Sequence, residues 1–308
     1  MKRVLPSRRA ISNTAISAFL FVLMVTTIAL QSQSVVYAQD DVKVVRYPAA
    51  DMEEDVRSAY YYKLLEVALE NTKSEYGDFK LEGVKQSEQS QTESLKSMMR
   101  NQGLDVIHTM TTKARELVLR PIHIPLDKGL IGMRLLLINE EDQDLFTDVE
   151  DKSDLKQITF GQGEGWPDTE ILNLNGFEVE TNPQYGKLFE MLAKKRFLAF
   201  PRAVYEIWAE LEQFDEYSFA AENKLLIYYP AAMYFFVRKA DKELAQRIET
   251  GLKRAMADGT FDKLFKEYMG SYVEKARLNE RMVIELSNPM LSDEVPVNKP
   301  ELWYDLPN

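Results

Sequence analysis

The feature that most constrains this chain is the alternation of strand-like and helix-like stretches, written out twice. Residues 42–47 are short and β-branched, and Pro48 is expected to close them. Tyr61, Leu64, Leu65, Ala68 and Leu69 then fall on one helical face. Residues 79–86 read as a second strand. Ser90 and Glu93 form a capping-box pattern ahead of a short helix with the apolar face Leu95, Met98 and Met99. Residues 104–107 read as a third strand. A β-α-β-α-β order implies a parallel sheet covered by helices.

Residues 130–138 form a long apolar strand candidate that suits a connection between two lobes, and a charged loop over 139–154 follows. The second run has strands at 158–161, 177–180 and 196–200. Its helices are marked by Tyr185, Leu188, Phe189 and Leu192, then by Val204, Ile207, Trp208 and Leu211. Residues 225–229 and 234–237 read as strands leading out of it. Two closing helices follow, with faces Leu244, Ile248, Leu252, Met256 and Phe261, Leu264, Phe265, Tyr268. From Ser287 a tail with Pro289, Pro296, Pro300 and Pro307 is expected to run extended over the surface.

Residues 1–38 read as a secretory signal rather than part of this fold. Lys2, Arg3, Arg8 and Arg9 form a positive start, 15–30 is uncharged and apolar, and Val36-Tyr37-Ala38 suits cleavage after Ala38. The competing reading is an uncleaved anchor, for which this stretch is short. Cleavage would leave 34 basic residues against 49 acidic ones, a net charge of -15 in place of the -11 of the whole chain. So acidic a product is expected to have no nucleic-acid partner, and cleavage of the signal without a lipidated cysteine is expected to leave a free periplasmic monomer with no stable membrane insertion. The absence of cysteine excludes disulfides, thiolate metal sites and a lipidated N-terminal cysteine. With only His108 and His123 besides, no metal and no cofactor are expected.

Three segments carry a resemblance. Thr111-Thr112-Lys113-Ala114-Arg115-Glu116 is similar to the Thr-x-x-Arg segment of the family 3 solute-binding proteins. The stretch Ile158-Thr159-Phe160-Gly161-Gln162-Gly163-Glu164-Gly165 resembles the strand and Gly-rich turn that open that family's second lobe. Val237-Arg238-Lys239 with the segment from Ala257 to Tyr268 looks like its closing helices. The resemblance spans roughly residues 40–270. It implies a two-lobed α/β periplasmic-binding fold with two crossing hinge strands. Lobe 1 would be 39–133 with 232–308, including a C-terminal extension over 271–308, and lobe 2 would be 134–231.

The resemblance also implies site residues. Arg115 matches the arginine that forks onto a ligand carboxylate, for which a guanidinium's parallel donors are well shaped; the competing reading is a surface pair with Glu116. Thr111 and Thr112 offer hydroxyls beside it, although Met110 stands where relatives often have a small hydroxyl residue. His108 lies on the same strand end, as polar lining or as a structural group. Gly163 belongs to a turn whose backbone can approach an anion. Trp166 either stacks on a ligand or packs beneath that turn. Tyr47 is placed to line the cleft. Where amino-acid receptors commonly carry an Asp for the ligand's ammonium, this chain has Arg202. That points to a ligand with two acidic or strongly polar groups bridged by Arg115 and Arg202, unless Arg202 simply pairs with Glu206.

The expected function is capture of a small polar, anionic or amino-acid-like ligand in a cleft, for an ABC permease or a membrane sensor. The alternatives are an exported enzyme on the same scaffold, with Glu164 as the only evident acid, and a ligand-free interaction protein. Trp303 and Tyr304 in the tail are compatible with the last, or with a strap that packs on lobe 1.

Overall fold

The computed structural model describes Met1 and residues 42–49, 56–85 and 91–305. The signal segment with its cleavage site, and Ser90 of the capping box, lie outside them. Among the described residues no helix is long and apolar enough to cross a membrane.

β1 (Lys43–Ala49) runs parallel to β2 (Phe79–Lys85), with Val45 opposite Leu81. Pro48 does not end β1 but lies within it. Its missing N–H is tolerated there because, among the described residues, β1 has ladder pairing to β2 alone. Between them α1 (Val56–Glu70) buries Tyr61, Leu64, Leu65, Ala68 and Leu69, the face its spacing predicted. After α2 (Gln91–Met99), β3 (Val106–Met110) joins β4 (Leu119–Pro121) through the antiparallel β11 (Met233–Arg238). The third strand thus starts two residues later than its apolar pattern suggested. It touches β1 through the Asp105 N–H, which donates to the Arg46 carbonyl at 2.9 Å. α3 (Lys113–Val118) links β3 to β4.

The expected strand at 130–138 divides. Leu130–Gly132 is a 3-10 turn, and β5 (Met133–Asn139) follows, buried at every residue. β5 is central to a sheet in which it pairs with β8 (Phe200–Ala203), β9 (Phe219–Ala221) and β10 (Leu225–Tyr228), and β10 pairs in turn with β12 (Met282–Glu285). The second parallel pair is β6 (Phe160–Gly163) with β7 (Val179–Asn182). They flank α4 (Pro167–Leu174), and α5 (Tyr185–Ala193) follows. The strand expected at 196–200 is displaced to β8 (Phe200–Ala203). Phe197 is buried against Gly161 in the preceding turn, so its apolarity reflects packing and not extended structure. α6 (Ile207–Gln213), β10 (Leu225–Tyr228), α7 (Lys242–Ala257) and α8 (Thr260–Ala276) lie close to the sequence expectation.

The C-terminal region does more than lie on the surface. β12 (Met282–Glu285) adds a parallel strand beside β10, and Ser292 and Val295 are buried. Further on, the Trp303 indole packs on Gly129, and the Tyr304 N–H donates to the Lys128 carbonyl at 2.7 Å. The tail therefore straps down the loop that leads into β5.

Candidate functional site

A cavity of about 680 Å³ opens where α2, β3 and β11 face β5, α4, α5 and β8. Gln91, Met110, Ile131 and Met233 form one side. Arg134, Trp166, Asp168, Tyr185, Arg202 and Glu206 are among the residues of the other.

Arg115 sits directly behind the first side. Thr112 caps α3, its hydroxyl accepting from the Arg115 N–H at 3.2 Å, and this turn aims the Arg115 side chain back along β3. The guanidinium donates to Thr109 Oγ1 at 2.5 Å, the Met110 carbonyl at 2.9 Å and Gln91 Oε1 at 2.5 Å. A longer contact of 3.4 Å reaches the Gly165 carbonyl across the cavity's edge. All these acceptors are neutral, and no described carboxylate lies within ion-pair distance. Burial therefore lowers the Arg115 pKa to about 10, with Asp168 offsetting only part of the effect. Glu116 does not pair with Arg115. It accepts from Thr111 Oγ1 at 2.6 Å and lies 3.6 Å from His123.

Arg202 is 2% exposed and locked into carboxylates. It donates from Nε and Nη2 to Glu210, at 2.6–2.9 Å, and its Nη2 lies 3.1 Å from Glu206. Burial opposes the charge, but Glu206 and Glu210 outweigh it and hold the pKa above the ordinary arginine value. Its guanidinium lies 5.2 Å from the Trp166 ring. Trp166 in turn rests on Gly163, where any Cβ would collide with the indole. Trp166 thus both lines the cavity and packs on the turn.

Two buried charges escaped the sequence reading. Arg134 of β5 donates from Nη1 to Glu206 at 3.2 Å, from Nε to the Tyr229 hydroxyl at 2.9 Å, and from Nη2 to Asp168 of α4. Tyr229 also donates to Asp168. Burial opposes the Arg134 charge, and Asp168 leads the groups that overcome it and raise its pKa. The available signal was a single arginine inside an apolar run, which a central strand accepts only when partners await it.

Of the residues expected at the site, Trp166 and Arg202 line the cavity and Arg115 adjoins it. Tyr47, His108, Thr111, Thr112 and Gly163 are not on its wall. The Tyr47 hydroxyl bonds His108 Nδ1 at 2.5 Å, and the His108 ring stacks on Tyr61 at 4.2 Å.

That aromatic group continues to a buried acid. The hydroxyls of Tyr61 and Tyr205 lie 3.1 Å apart, and Tyr205 donates to Asp127 Oδ2 at 3.2 Å. Asp127 also accepts the backbone N–H groups of Gly129 and Ile131, at 3.1 and 3.0 Å. Burial is the larger influence and raises its pKa from 3.8 to about 6. A carboxyl whose folded pKa is raised contributes stability that is present below pH 4 and lost as the pH rises through 6. Relative to Asp127→Asn, wild type is expected to lose about 2–2.5 kcal/mol between pH 4 and pH 7. Urea unfolding of both proteins across that range checks it; a flat difference would exclude the titration.

Neither a protein-family model nor a curated protein matches the chain. Solved structures do. An ancestral arginine-binding protein bound to arginine superposes with a TM-score of 0.53 at 15% identity, covering 74% of this chain and 98% of that one. The fold is that of the type II periplasmic binding proteins. A histidine kinase sensor domain with similarity to periplasmic binding proteins shares this fold, with a TM-score of 0.56 at 12% identity over 75% of this chain and 97% of that one. So does ArtJ of Geobacillus stearothermophilus, a binding protein for arginine, lysine and histidine, with a TM-score of 0.52 at 14% identity over 74% and 95%. These structural neighbours of the periplasmic-binding fold are binding proteins and a sensor domain, and the segments quoted for the family 3 resemblance lie within that fold.

Proposed function

We propose that the protein is a periplasmic solute-binding protein that captures a small polar ligand carrying an acidic group. The observation that carries this reading is Arg115, a buried guanidinium whose acceptors among the described residues are all neutral, at the edge of a 680 Å³ cavity. A buried cation without a counter-ion favours an incoming carboxylate, and displacement of Gln91 would open its Nη2 to one. Residues 39–133 with 232–308 would act as one lobe and 134–231 as the other, closing on the ligand for an ABC permease or a membrane sensor. Trp166, Tyr185 and the ion-paired Arg202 would form the wall against which the rest of the ligand packs. A second ligand anion on Arg202 would have to compete with Glu206 and Glu210, which favours one acidic group over two.

Binding is preferred over catalysis on similar grounds. Asp168, Glu206 and Glu210 are tied to guanidinium groups, and Glu164 is exposed, so none of these four carboxyls is poised as a free acid or base.

The test is a thermal-shift screen of amino acids, monocarboxylates and dicarboxylates, followed by calorimetric titration. Arg115→Met is expected to weaken a bound carboxylate by at least about thirtyfold. Unchanged affinity in a folded Arg115→Met variant would defeat the reading.

A further inference from the structure

The cavity is bordered by carboxylates, yet each is already matched to a cation of the same chain. Asp168 is 4% exposed and accepts from Arg134 and Tyr229. Glu206 accepts from Arg134 at 3.2 Å and lies 3.1 Å from Arg202, and it also caps the Ala203 N–H at 2.9 Å. Glu210 holds Arg202 and accepts the Tyr185 hydroxyl at 2.6 Å. At the mouth, Glu190 pairs with Lys187 at 2.6 Å and with Lys194 at 3.6 Å. All three nitrogens of the Arg134 guanidinium are engaged, so it is held in one place.

We infer that the cavity's acidic subsite is filled by the chain's own Arg134, so that the site takes a monocarboxylate with an uncharged body and rejects ligands bearing an ammonium or guanidinium. The inference rests on the reading that this cavity binds a small carboxylate. A cationic ligand group entering here meets two choices. It can stay without a carboxylate of its own, or it can take Asp168 or Glu206 from Arg134 and leave that buried guanidinium with one carboxylate in place of two. Both penalise the cation. A carboxylate meets the opposite situation at Arg115, whose partners among the described residues are neutral. The cavity wall also holds Met110, Ile131, Trp166, Tyr185 and Met233, a surface suited to an aliphatic or aromatic body.

The test uses matched pairs that differ only in the α-ammonium group: 3-phenylpropionate against phenylalanine, and 4-methylpentanoate against leucine. Calorimetric titration of the full chain is expected to show each monocarboxylate binding at least about tenfold more tightly than its amino-acid counterpart. Equal or tighter binding of the amino acids would overturn the inference and leave the solute-binding reading intact. If neither set binds, and the broader carboxylate screen is also silent, both fall. Arg134→Ala gives a second readout. Low-millimolar guanidinium is expected to raise its melting temperature, by refilling the space between Asp168 and Glu206, and to leave that of wild type unchanged. A folded Arg134→Ala variant with no such response would show that the pair is not a cation site. Should that variant fail to fold, the matched pairs on wild type decide alone.

Discussion

Glu210→Ala is expected to destabilise the protein by about 3–5 kcal/mol in urea unfolding at neutral pH. Arg202 and Glu210 are 2% and 1% exposed, so neither is compensated by water. Glu210 accepts from both Nε and Nη2 of Arg202, and removing it leaves Glu206 as that guanidinium's nearest carboxylate. Glu206 is already shared with Arg134, so the loss spreads to a second buried cation. Replacing both members by methionine is expected to cost much less than Glu210→Ala alone, because apolar side chains of similar volume need no counter-charge. A single-variant loss below about 1 kcal/mol would mean that Glu206 compensates Arg202 unaided, and Arg202 would then be easier for a ligand to recruit.

The legible parts of the fold were those set by local periodicity. The faces of α1 and α7 follow from their own spacing, and Leu64, Leu65, Ile248 and Leu252 are all fully buried. Strand limits were less legible where apolar residues serve packing rather than pairing, as Phe197 does beside Gly161. β12 was missed because its pairing with β10 is decided by residues more than fifty positions away. The same distinction runs through the site. Arg115 stands on a short motif whose cap and helix turn are local, so its place could be read. The roles of Arg134 and Asp168 depend on a contact between β5 and α4, thirty-four residues apart, which no local pattern encodes. Arg202 was visible as a cation in an unexpected place, but its neutralisation depends on how α6 returns Glu206 and Glu210 toward β8.

Gly251→Ala is expected to cost about 3 kcal/mol or more, although alanine is the better helix former by about 1 kcal/mol. Gly251 lies in α7 against α1. A Cβ there would stand 1.8 Å from the Ala68 carbonyl oxygen and 2.5 Å from its carbon. Both are backbone atoms, so no side-chain rotation relieves the overlap, and the two helices must part. Parting them exposes Leu64, Leu65 and Leu69 on α1 together with Ile248 and Leu252 on α7, each now fully buried. It also strains the 3.3 Å bond from the Asn71 amide to the Gly251 carbonyl. Gly270→Ala in α8 separates this packing effect from helix propensity. Its Cβ would meet only a lysine methylene at 3.6 Å, an ordinary contact, so that variant is expected to gain about 0.5–1 kcal/mol. Urea unfolding of the two variants side by side should therefore give shifts of opposite sign. A Gly251→Ala protein as stable as wild type would mean that α1 and α7 can separate without loss.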